Sequence, residues 1–141
     1  MTQLMQVKCQ SASSARSAVE GPHMVILATN SATSVIDAGW LERGACVTTL
    51  GPKQHDRAEF SLDLAERASV LVTDSLDQLD EYDPPDILSG TAQRDRLVSL
   101  GAVRAGIVTP PGSHQIALFF SVGLAGTEVF LLDRLAHSLT G

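Results

Sequence analysis

The sequence predicts an α/β domain in which short strands end together at one edge of a sheet. Four apolar runs support this prediction, and each ends in Gly or Ser ahead of a helical or turn pattern. Short apolar runs bounded by such residues are typical of buried strands. Ligands of open α/β sheets bind beyond the carboxyl ends of the strands, so we expect the functional site at this edge. The four runs are residues 24–31, 46–51, 70–75 and 116–121.

The composition is typical of one soluble domain with an acidic surface. A chain of 141 residues, 44% of them hydrophobic, is large enough to bury a core within a single domain. No apolar run approaches the roughly 20 residues of a membrane span, so we expect no membrane partner. Ten Lys and Arg residues against sixteen Asp and Glu residues give a net charge of -6. Because no basic stripe is present to neutralise phosphates, nucleic acid is not an expected partner.

The cysteines and the amino terminus favour a cytoplasmic location. Cys9 and Cys46 show neither CxxC spacing nor a disulfide framework, which indicates reduced thiols. The first ten residues lack the basic patch and apolar segment of a signal peptide. The four histidines lie far apart and no HExxH motif occurs, so we expect no metal site.

The elements between the strands are predicted from local signals. Serine caps and alanine-rich propensity indicate a helix that ends before Gly21. Gly44 closes a helical turn around Trp40, which we expect to be a packing residue, and apolar residues followed by Gly101 indicate a further helix. The predicted elements are a strand at 6–10, a helix at 11–20, a helical turn at 39–44, a helix or ordered turn at 59–68, a helix at 91–100 and a connector at 101–112.

Two further segments are interpreted from charge and periodicity. Residues 77–86 are acidic and are expected to form a solvated face, without the apolar cover that would shift a carboxyl pKa, so we place no general acid there. Residues 122–139 carry apolar residues in steps of three and four, which predicts a long amphipathic helix. A stripe this broad requires burial against the sheet, a partner chain or a further domain.

The strand-to-helix turn at Ser121 lacks the signals of two well-known sites. A nucleophile elbow requires glycine two residues before the serine, where this chain has Phe119. Ser121 is therefore interpreted as a hydroxyl donor or a helix cap. Gly123 and Gly126 do not make a GxGxxG motif. Close packing of the helix on the strand accounts equally well for Gly123 and better for Gly126.

Three segments together resemble the ornithine cyclodeaminase and mu-crystallin family, which includes amino acid dehydrogenases and imine reductases. Their motifs are Ala-Thr-Asn-Ser, then Gly-Trp-Leu and Gly-Ala, then Thr-Asp-Ser, and finally Ser-Val-Gly. Each motif is weak alone, but the ordered set is specific, and the resemblance extends over residues 19–135. The segments are ATNSATSVIDAGWLERGACVTTLG at 28–51, RASVLVTDS at 67–75 and LFFSVGLAGTEVFLLDRL at 118–135.

The resemblance implies a fold and a domain organisation. Residues 1–141 would form the second half of a Rossmann-type, mostly parallel sheet with flanking helices, as a partial NAD(P)-binding domain. The long helix at about 122–139 would pack on a dimerisation domain, and the full-length family is expected to be homodimeric. In the family, the glycine-rich phosphate loop and the residues that hold the substrate carboxylate lie upstream. The chain is therefore interpreted as amino-terminally truncated.

The resemblance also implies which residues lie against NAD or NADP and against the substrate. Polar groups at the end of the first strand would contact the cofactor, and the end of the second strand would line the nicotinamide side. The turn after the last strand would face both nicotinamide and substrate. The implied cofactor residues are Thr29, Asn30, Val47, Thr48, Thr49, Leu50 and Ser121, and the implied substrate residue is Val122.

One position departs from the family pattern. Ornithine cyclodeaminases carry a proton-handling aspartate just after the strand-end glycine, where this chain has Lys53. A lysine can bind a substrate carboxylate through charge-assisted hydrogen bonds, but it acts as a base at neutral pH only if its pKa is strongly lowered. Lys53 is the candidate catalytic residue, with His55 and Asp56 as substitutes near it in sequence. The departure argues against cyclodeamination of ornithine itself.

Three functional hypotheses follow from these observations. The first is an NAD(P)-dependent enzyme of this family that acts on a small-molecule amino acid or cyclic imine, with hydride transfer at the α-carbon and deamination, cyclisation or imine reduction. The second is a catalytically inactive, truncated fragment of such an enzyme. The third is an α/β interaction module that uses its carboxyl-terminal helix to dock a partner.

Overall fold

The computed structural model describes residues 9–123 and 125–140 as a central parallel sheet with short flanking helices. The strands are β1 (Met24–Leu27), β2 (Cys46–Thr49), β3 (Lys53–Gln54), β4 (Arg57–Ala58), β5 (Val70–Thr73), β6 (Leu97–Ser99) and β7 (Ala117–Phe120). The helices are α1 (Ala15–Val19), α2 (Leu62–Arg67), α3 (Leu76–Asp80), α4 (Leu100–Arg104) and α5 (Ala125–Thr140), with 3-10 turns at Ala38–Trp40 and Arg94–Arg96.

Five strands form the sheet in the order β1-β2-β7-β5-β6, and all four pairings between them are parallel. Thr49 at the end of β2 pairs with Leu27 of β1 and with Phe120 of β7. The carboxyl ends of these three strands therefore meet at one edge, as the polar strand ends predicted. Strands β3 and β4 form a separate antiparallel hairpin just beyond β2.

The core lies on one face of the sheet. Alternate residues of the strands are buried there, because successive side chains of a strand point to opposite faces; Val47, Leu118 and Phe120 have no exposed surface. Phe60, which precedes α2, packs edge-on against Phe120 with ring centroids 5.2 Å apart. Burying one such side chain contributes about 1.5–3 kcal/mol, so this layer fixes the sheet on which the strand ends are carried.

The structure confirms the four predicted strands and most of the predicted helices. The helix predicted at 11–20 forms as α1, with Ser14 as its N-cap in a capping box with Ser17. The helix predicted at 59–68 forms as α2. Of the strand predicted at 6–10, residues 6–8 lie outside the described residues, and Cys9 and Gln10 are not in a strand.

The prediction of a helix at 91–100 is wrong. Arg94–Arg96 forms a 3-10 turn, Leu97–Ser99 is strand β6, and helix α4 (Leu100–Arg104) begins at the last residue of the predicted helix and extends into the predicted connector. Strand β6 pairs with β5, and the Arg96 guanidinium donates to the carbonyl of Ala68 just before β5. This pairing with a distant strand overrides the local helical pattern.

The long carboxyl-terminal helix forms as α5, and its apolar stripe is not buried by the sheet. Val129, Phe130 and Leu132 are more than 60% exposed, and Leu131 and Leu135 are exposed as well. Within the described residues, no helix is both long enough and apolar enough to cross a membrane.

Gly44 lies where the turn before β2 closely approaches the backbone of the segment before β7. Its φ of +87° is in the region that favours glycine, and a Cβ placed there would lie 2.2 Å from the backbone oxygen of Ser113. Gly106 has a similar φ of +73°, but a Cβ there would meet nothing within 4 Å. The two glycines therefore separate the effect of backbone conformation from that of steric overlap.

We expect Gly44→Ala to destabilise the fold by at least about 1 kcal/mol more than Gly106→Ala, because only Gly44→Ala adds the overlap with Ser113 to the φ strain of about 1–3 kcal/mol. Urea unfolding of both variants measures the difference. Equal free energies of unfolding would show that the turn at residue 113 moves away at little cost.

Candidate functional site at the carboxyl ends of the strands

A cavity of about 320 Å³ lies where the ends of β2 and β7 meet. One wall is the loop that follows β2 and the start of β3. The opposite wall is the turn that follows β7, together with an aromatic side chain just beyond α3. The lining residues are Leu50, Gly51, Pro52, Lys53, Gln54, Tyr82, Ser121, Val122 and Gly123.

Glu59, which has no exposed surface, ties the ends of β1 and β2 together. Its Oε2 accepts hydrogen bonds from the backbone N–H and the hydroxyl of Thr29, both at 2.8 Å. Its Oε1 accepts the backbone N–H of Gly51 at 2.7 Å. Hydrogen bonds to a charged carboxylate are stronger than those between neutral groups. Glu59 therefore fixes the position of the loop that forms one wall.

Asp74, directly after β5, holds the turn that forms the opposite wall. Its Oδ1 accepts the backbone N–H of Val122 at 2.8 Å, and its Oδ2 accepts the hydroxyl of Ser121 at 3.1 Å and the N–H of Gly123 at 3.3 Å. The side chain of Gln78 donates to the carbonyl of Val122 at 3.3 Å. The turn after β7 is therefore held from β5 and α3 before any ligand arrives.

Lys53 is a buried cation in the cavity wall, with 4% of its surface exposed. Its Nζ donates to the carbonyl of Gly51 at 2.7 Å, and the backbone around it is held by Glu59 N–H to Pro52 carbonyl (2.9 Å) and Ile87 N–H to Lys53 carbonyl (2.7 Å). Burial lowers the pKa of Lys53, and the negative charges of Glu59 and Asp74 partly oppose that shift.

Tyr82 places a phenol in the same cavity. Its partial burial raises the pKa of the hydroxyl, and the negative charges of Asp74 and Asp86 raise it further. The phenol is therefore protonated at neutral pH, where it can donate or accept a hydrogen bond. Lys53 and Tyr82 thus add a cationic and a neutral donor to the side chains of Gln54 and Ser121 in the same lining.

The structure brings some of the predicted site residues together and separates others. Leu50, Ser121 and Val122 line the cavity with Lys53. Thr29 lies beside the cavity, held by Glu59, and Asn30 accepts hydrogen bonds from Arg57 at the same rim.

The predicted residues within β2 lie on both faces of the sheet. Val47 and Thr49 have no exposed surface and face the core, whereas Thr48 is half-buried on the opposite face. Val47 and Thr49 could therefore reach a ligand only through their backbone. The assignment of these three residues to a cofactor stays a prediction.

The acidic segment at 77–86 is not solvated throughout, contrary to the prediction. Asp86 has no exposed surface. It accepts the Leu88 N–H at 2.8 Å and the Ser89 hydroxyl at 2.6 Å, and the Nε of Arg94 lies 3.8 Å away. These partners compensate the cost of burying the carboxylate.

Neither substitute for Lys53 contributes to the cavity. Asp56 is exposed in the turn of the hairpin. His55 is exposed as well, and its Nε2 lies 3.2 Å from the carbonyl of Ser89. Among the described residues, no group of three or more His, Cys, Asp or Glu side chains is placed to hold a metal ion.

Sequence reasoning missed the roles of Glu59, Asp74 and Tyr82. Asp74 stands directly after an apolar strand, and that position was a usable signal for a group at the site edge. Glu59 gave no such signal, because its partners lie 30 and 8 residues away. Tyr82 was missed because it lies within the acidic segment 77–86, which was predicted to be a solvated face.

A parallel sheet whose adjacent strand ends enclose a cavity defines a Rossmann-like α/β fold. The model of the ornithine cyclodeaminase/mu-crystallin family matches residues 1–138. The chain therefore belongs to the ornithine cyclodeaminase/mu-crystallin family. It is 37% identical over 98 residues to the uncharacterized cyclodeaminase y4tK of Sinorhizobium fredii (strain NBRC 101917 / NGR234), a match that covers 67% of this chain and 29% of that protein.

Solved structures share the fold at lower identity. A probable ornithine cyclodeaminase from Bordetella pertussis Tohama I is 24% identical, with a TM-score of 0.68 over 79% of this chain and 37% of that one. The Thermococcus litoralis Δ1-pyrroline-2-carboxylate reductase in complex with NADH and L-proline is 24% identical, with a TM-score of 0.69 over 90% and 42%. An archaeal alanine dehydrogenase dimer with bound NAD is 20% identical, with a TM-score of 0.59 over 79% and 36%. This chain thus spans less than half the length of these proteins.

Replacing the Glu59 carboxylate should loosen both strand ends. In Glu59→Gln, an amide N–H₂ replaces one acceptor oxygen and faces a backbone donor, so we expect a loss of about 1–3 kcal/mol in the free energy of unfolding. Glu66→Gln, on the exposed side of α2, is the matched control and should change stability by less than about 0.5 kcal/mol. Urea unfolding and hydrogen exchange of the Thr29 and Gly51 amides report the effect. Equal free energies of unfolding for Glu59→Gln and Glu66→Gln would refute the structural role of Glu59.

The buried charge of Lys53 should make stability depend on pH. Because the pKa of Lys53 is lower in the folded than in the unfolded chain, the unfolded chain binds the proton more tightly. The cost is present in full below the folded pKa and is relieved as the pH rises through that value towards the unfolded pKa of about 10.4.

The melting temperature of the unmodified protein, relative to Lys53→Met, should therefore rise between about pH 7 and pH 10. Differential scanning calorimetry across this range measures the trend. Arg57→Met is the control, because arginine does not titrate in this range and its difference should stay constant. A constant difference for Lys53→Met would mean that its pKa is not lowered.

Proposed function

We propose that residues 1–141 form part of an NAD(P)-binding domain in an enzyme that acts on an amino acid or a cyclic imine. The reaction class is hydride transfer at the α-carbon, with deamination, cyclisation or imine reduction. The observation that carries the proposal is the cavity between the ends of β2 and β7, which joins the predicted residues Leu50, Ser121 and Val122 to Lys53. Membership of the family supports it, as do NADH and L-proline bound to the Thermococcus reductase and NAD bound to the archaeal dehydrogenase.

The cavity suits the nicotinamide end of NAD or NADP. Leu50 is 52% exposed and offers an apolar surface at the mouth, while Ser121 and Gln54 offer polar groups that can bond an amide. When bound, the nicotinamide supplies the hydride donor or acceptor. Thr29 and Asn30 lie at the same rim and would extend the contact along the cofactor, with Thr48 on the open face of β2.

The residues of this chain contribute orientation and proton transfer. Asp74 holds the Ser121–Gly123 turn in place, so little ordering is needed when substrate binds. Lys53 is the group that gives a proton to the substrate nitrogen in reduction and takes one in oxidation, which balances the hydride. Burial lowers the pKa of Lys53, which makes its ammonium a better proton donor to the substrate nitrogen.

The proposal also includes further strands beside β1 and a domain that packs on α5. Strand β1 lies at an edge of the sheet, and Met24 and Ile26 on its open face are 69% and 59% exposed. We propose that further strands of the NAD(P)-binding domain continue the sheet at this edge. The exposed apolar stripe of α5 would pack on a dimerisation domain, which gives a homodimer.

A binding experiment tests the proposal on the complete protein. NADH and NADPH fluorescence titrations should saturate, and Leu50→Glu should weaken binding at least about tenfold, or about 1.4 kcal/mol, because it places a charge at the apolar mouth. Ile107→Glu changes another exposed apolar residue, which does not line the cavity, and should leave affinity unchanged.

The absence of saturable binding by either dinucleotide would reject the enzyme in favour of one of the two alternatives. The exposed stripe of α5 is the observation that would then favour an interaction module. Saturable binding without turnover of any amino acid or imine would favour the inactive fragment.

A further inference from the structure

The cavity wall carries one ionic side chain among its described lining residues. Lys53 is that residue, and the other eight are apolar, small or neutral polar groups. Within residues 9–123 and 125–140, the carbonyl of Gly51 is the one acceptor that its Nζ has. An ammonium has three donors, so Nζ has donors left for a ligand that enters the cavity.

The two carboxylates that act on Lys53 are placed behind the walls. Glu59 has no exposed surface, and both its oxygens accept hydrogen bonds from Thr29 and Gly51. Asp74 does not line the cavity, and both its oxygens accept hydrogen bonds from the turn after β7. The lining residues therefore present the ammonium of Lys53 and no carboxylate for direct hydrogen bonding, while Glu59 and Asp74 act on its charge from outside the lining.

We propose that Lys53 selects the substrate by charge, favouring amino or imino acids whose side chain ends in a carboxylate or carbonyl over those with a second ammonium. This inference rests on the proposed function and names the substrate class of the same site. An acceptor group on the substrate receives a charge-assisted hydrogen bond from Nζ, with the Tyr82 hydroxyl as a second donor. A side-chain ammonium would instead be desolvated beside a like charge without an available carboxylate.

Three amino acids with the same five-carbon skeleton test the selection. L-glutamate, L-norvaline and L-ornithine end in a carboxylate, a methyl group and an ammonium respectively. Isothermal titration calorimetry with the complete protein, with and without NAD⁺, should give affinities in the order glutamate, norvaline, ornithine. We expect at least about a tenfold difference between the first and the last, since a close charge pair outside bulk water is worth more than about 1 kcal/mol.

Matched variants assign this order to Lys53. Lys53→Met keeps an unbranched side chain that is one atom shorter and removes its charge, so the three affinities should fall within about threefold of one another. Lys53→Gln provides the same test with a polar side chain if the methionine variant does not fold. Arg57→Met removes a cation that is at the rim but does not line the cavity, and it should preserve the order.

The following binding results would overturn the inference. Either the unmodified protein binds ornithine as well as glutamate, or Lys53→Met weakens all three ligands by one common factor, which would mean that Lys53 binds only the α-carboxylate they share. A loss of turnover in Lys53→Met with the order of affinities unchanged would count against charge selection and leave the proton-transfer role intact. Failure of NADH and NADPH to bind, with the order preserved, would reject the proposed function alone.

Discussion

The arrangement of the site depends on one buried carboxylate. Glu59 has no exposed surface, and a carboxylate is buried only where strong hydrogen bonds replace its water. Thr29 and Gly51 supply those bonds from the ends of two neighbouring strands. Gly51 must be glycine, because a Cβ there would lie 2.4 Å from both Glu59 Oε2 and the Thr29 carbonyl. The close approach that satisfies Glu59 therefore also shapes the wall of the cavity.

Two carboxylates hold the two walls of the cavity in place. Glu59 fixes the wall after β2 and Asp74 fixes the wall after β7, each mainly through backbone N–H groups. Both also attract Lys53 and oppose the effect of burial on its pKa. The positive charge in the wall is thus stabilised from behind by the same groups that rigidify the site. A substitution of Glu59 or Asp74 would therefore change both the position of a cavity wall and the charge around Lys53.

The sheet could be predicted from the sequence because its strands are short apolar runs with polar ends, a local signal. Strand β6 could not, since Leu97–Ser99 becomes a strand only by pairing with β5. The edge of the sheet was located correctly, and Leu50, Ser121 and Lys53 meet there. The role of Glu59 could not be predicted, because its hydrogen bonds to Thr29 and Gly51 span 30 and 8 residues and leave no local pattern. Asp74 could have been placed at this edge from its position directly after β5, although its partners 48 residues away could not.

Position 53 carries a lysine where the resemblance to the family implies an aspartate. An aspartate there, in this framework, would bring a third carboxylate towards Glu59 and Asp74 with no cation between them, and mutual repulsion would raise its pKa. Lysine instead turns the same two carboxylates into stabilising neighbours. The cation is therefore matched to this framework, while the oxygens of Glu59 and Asp74 are occupied by hydrogen bonds within the protein.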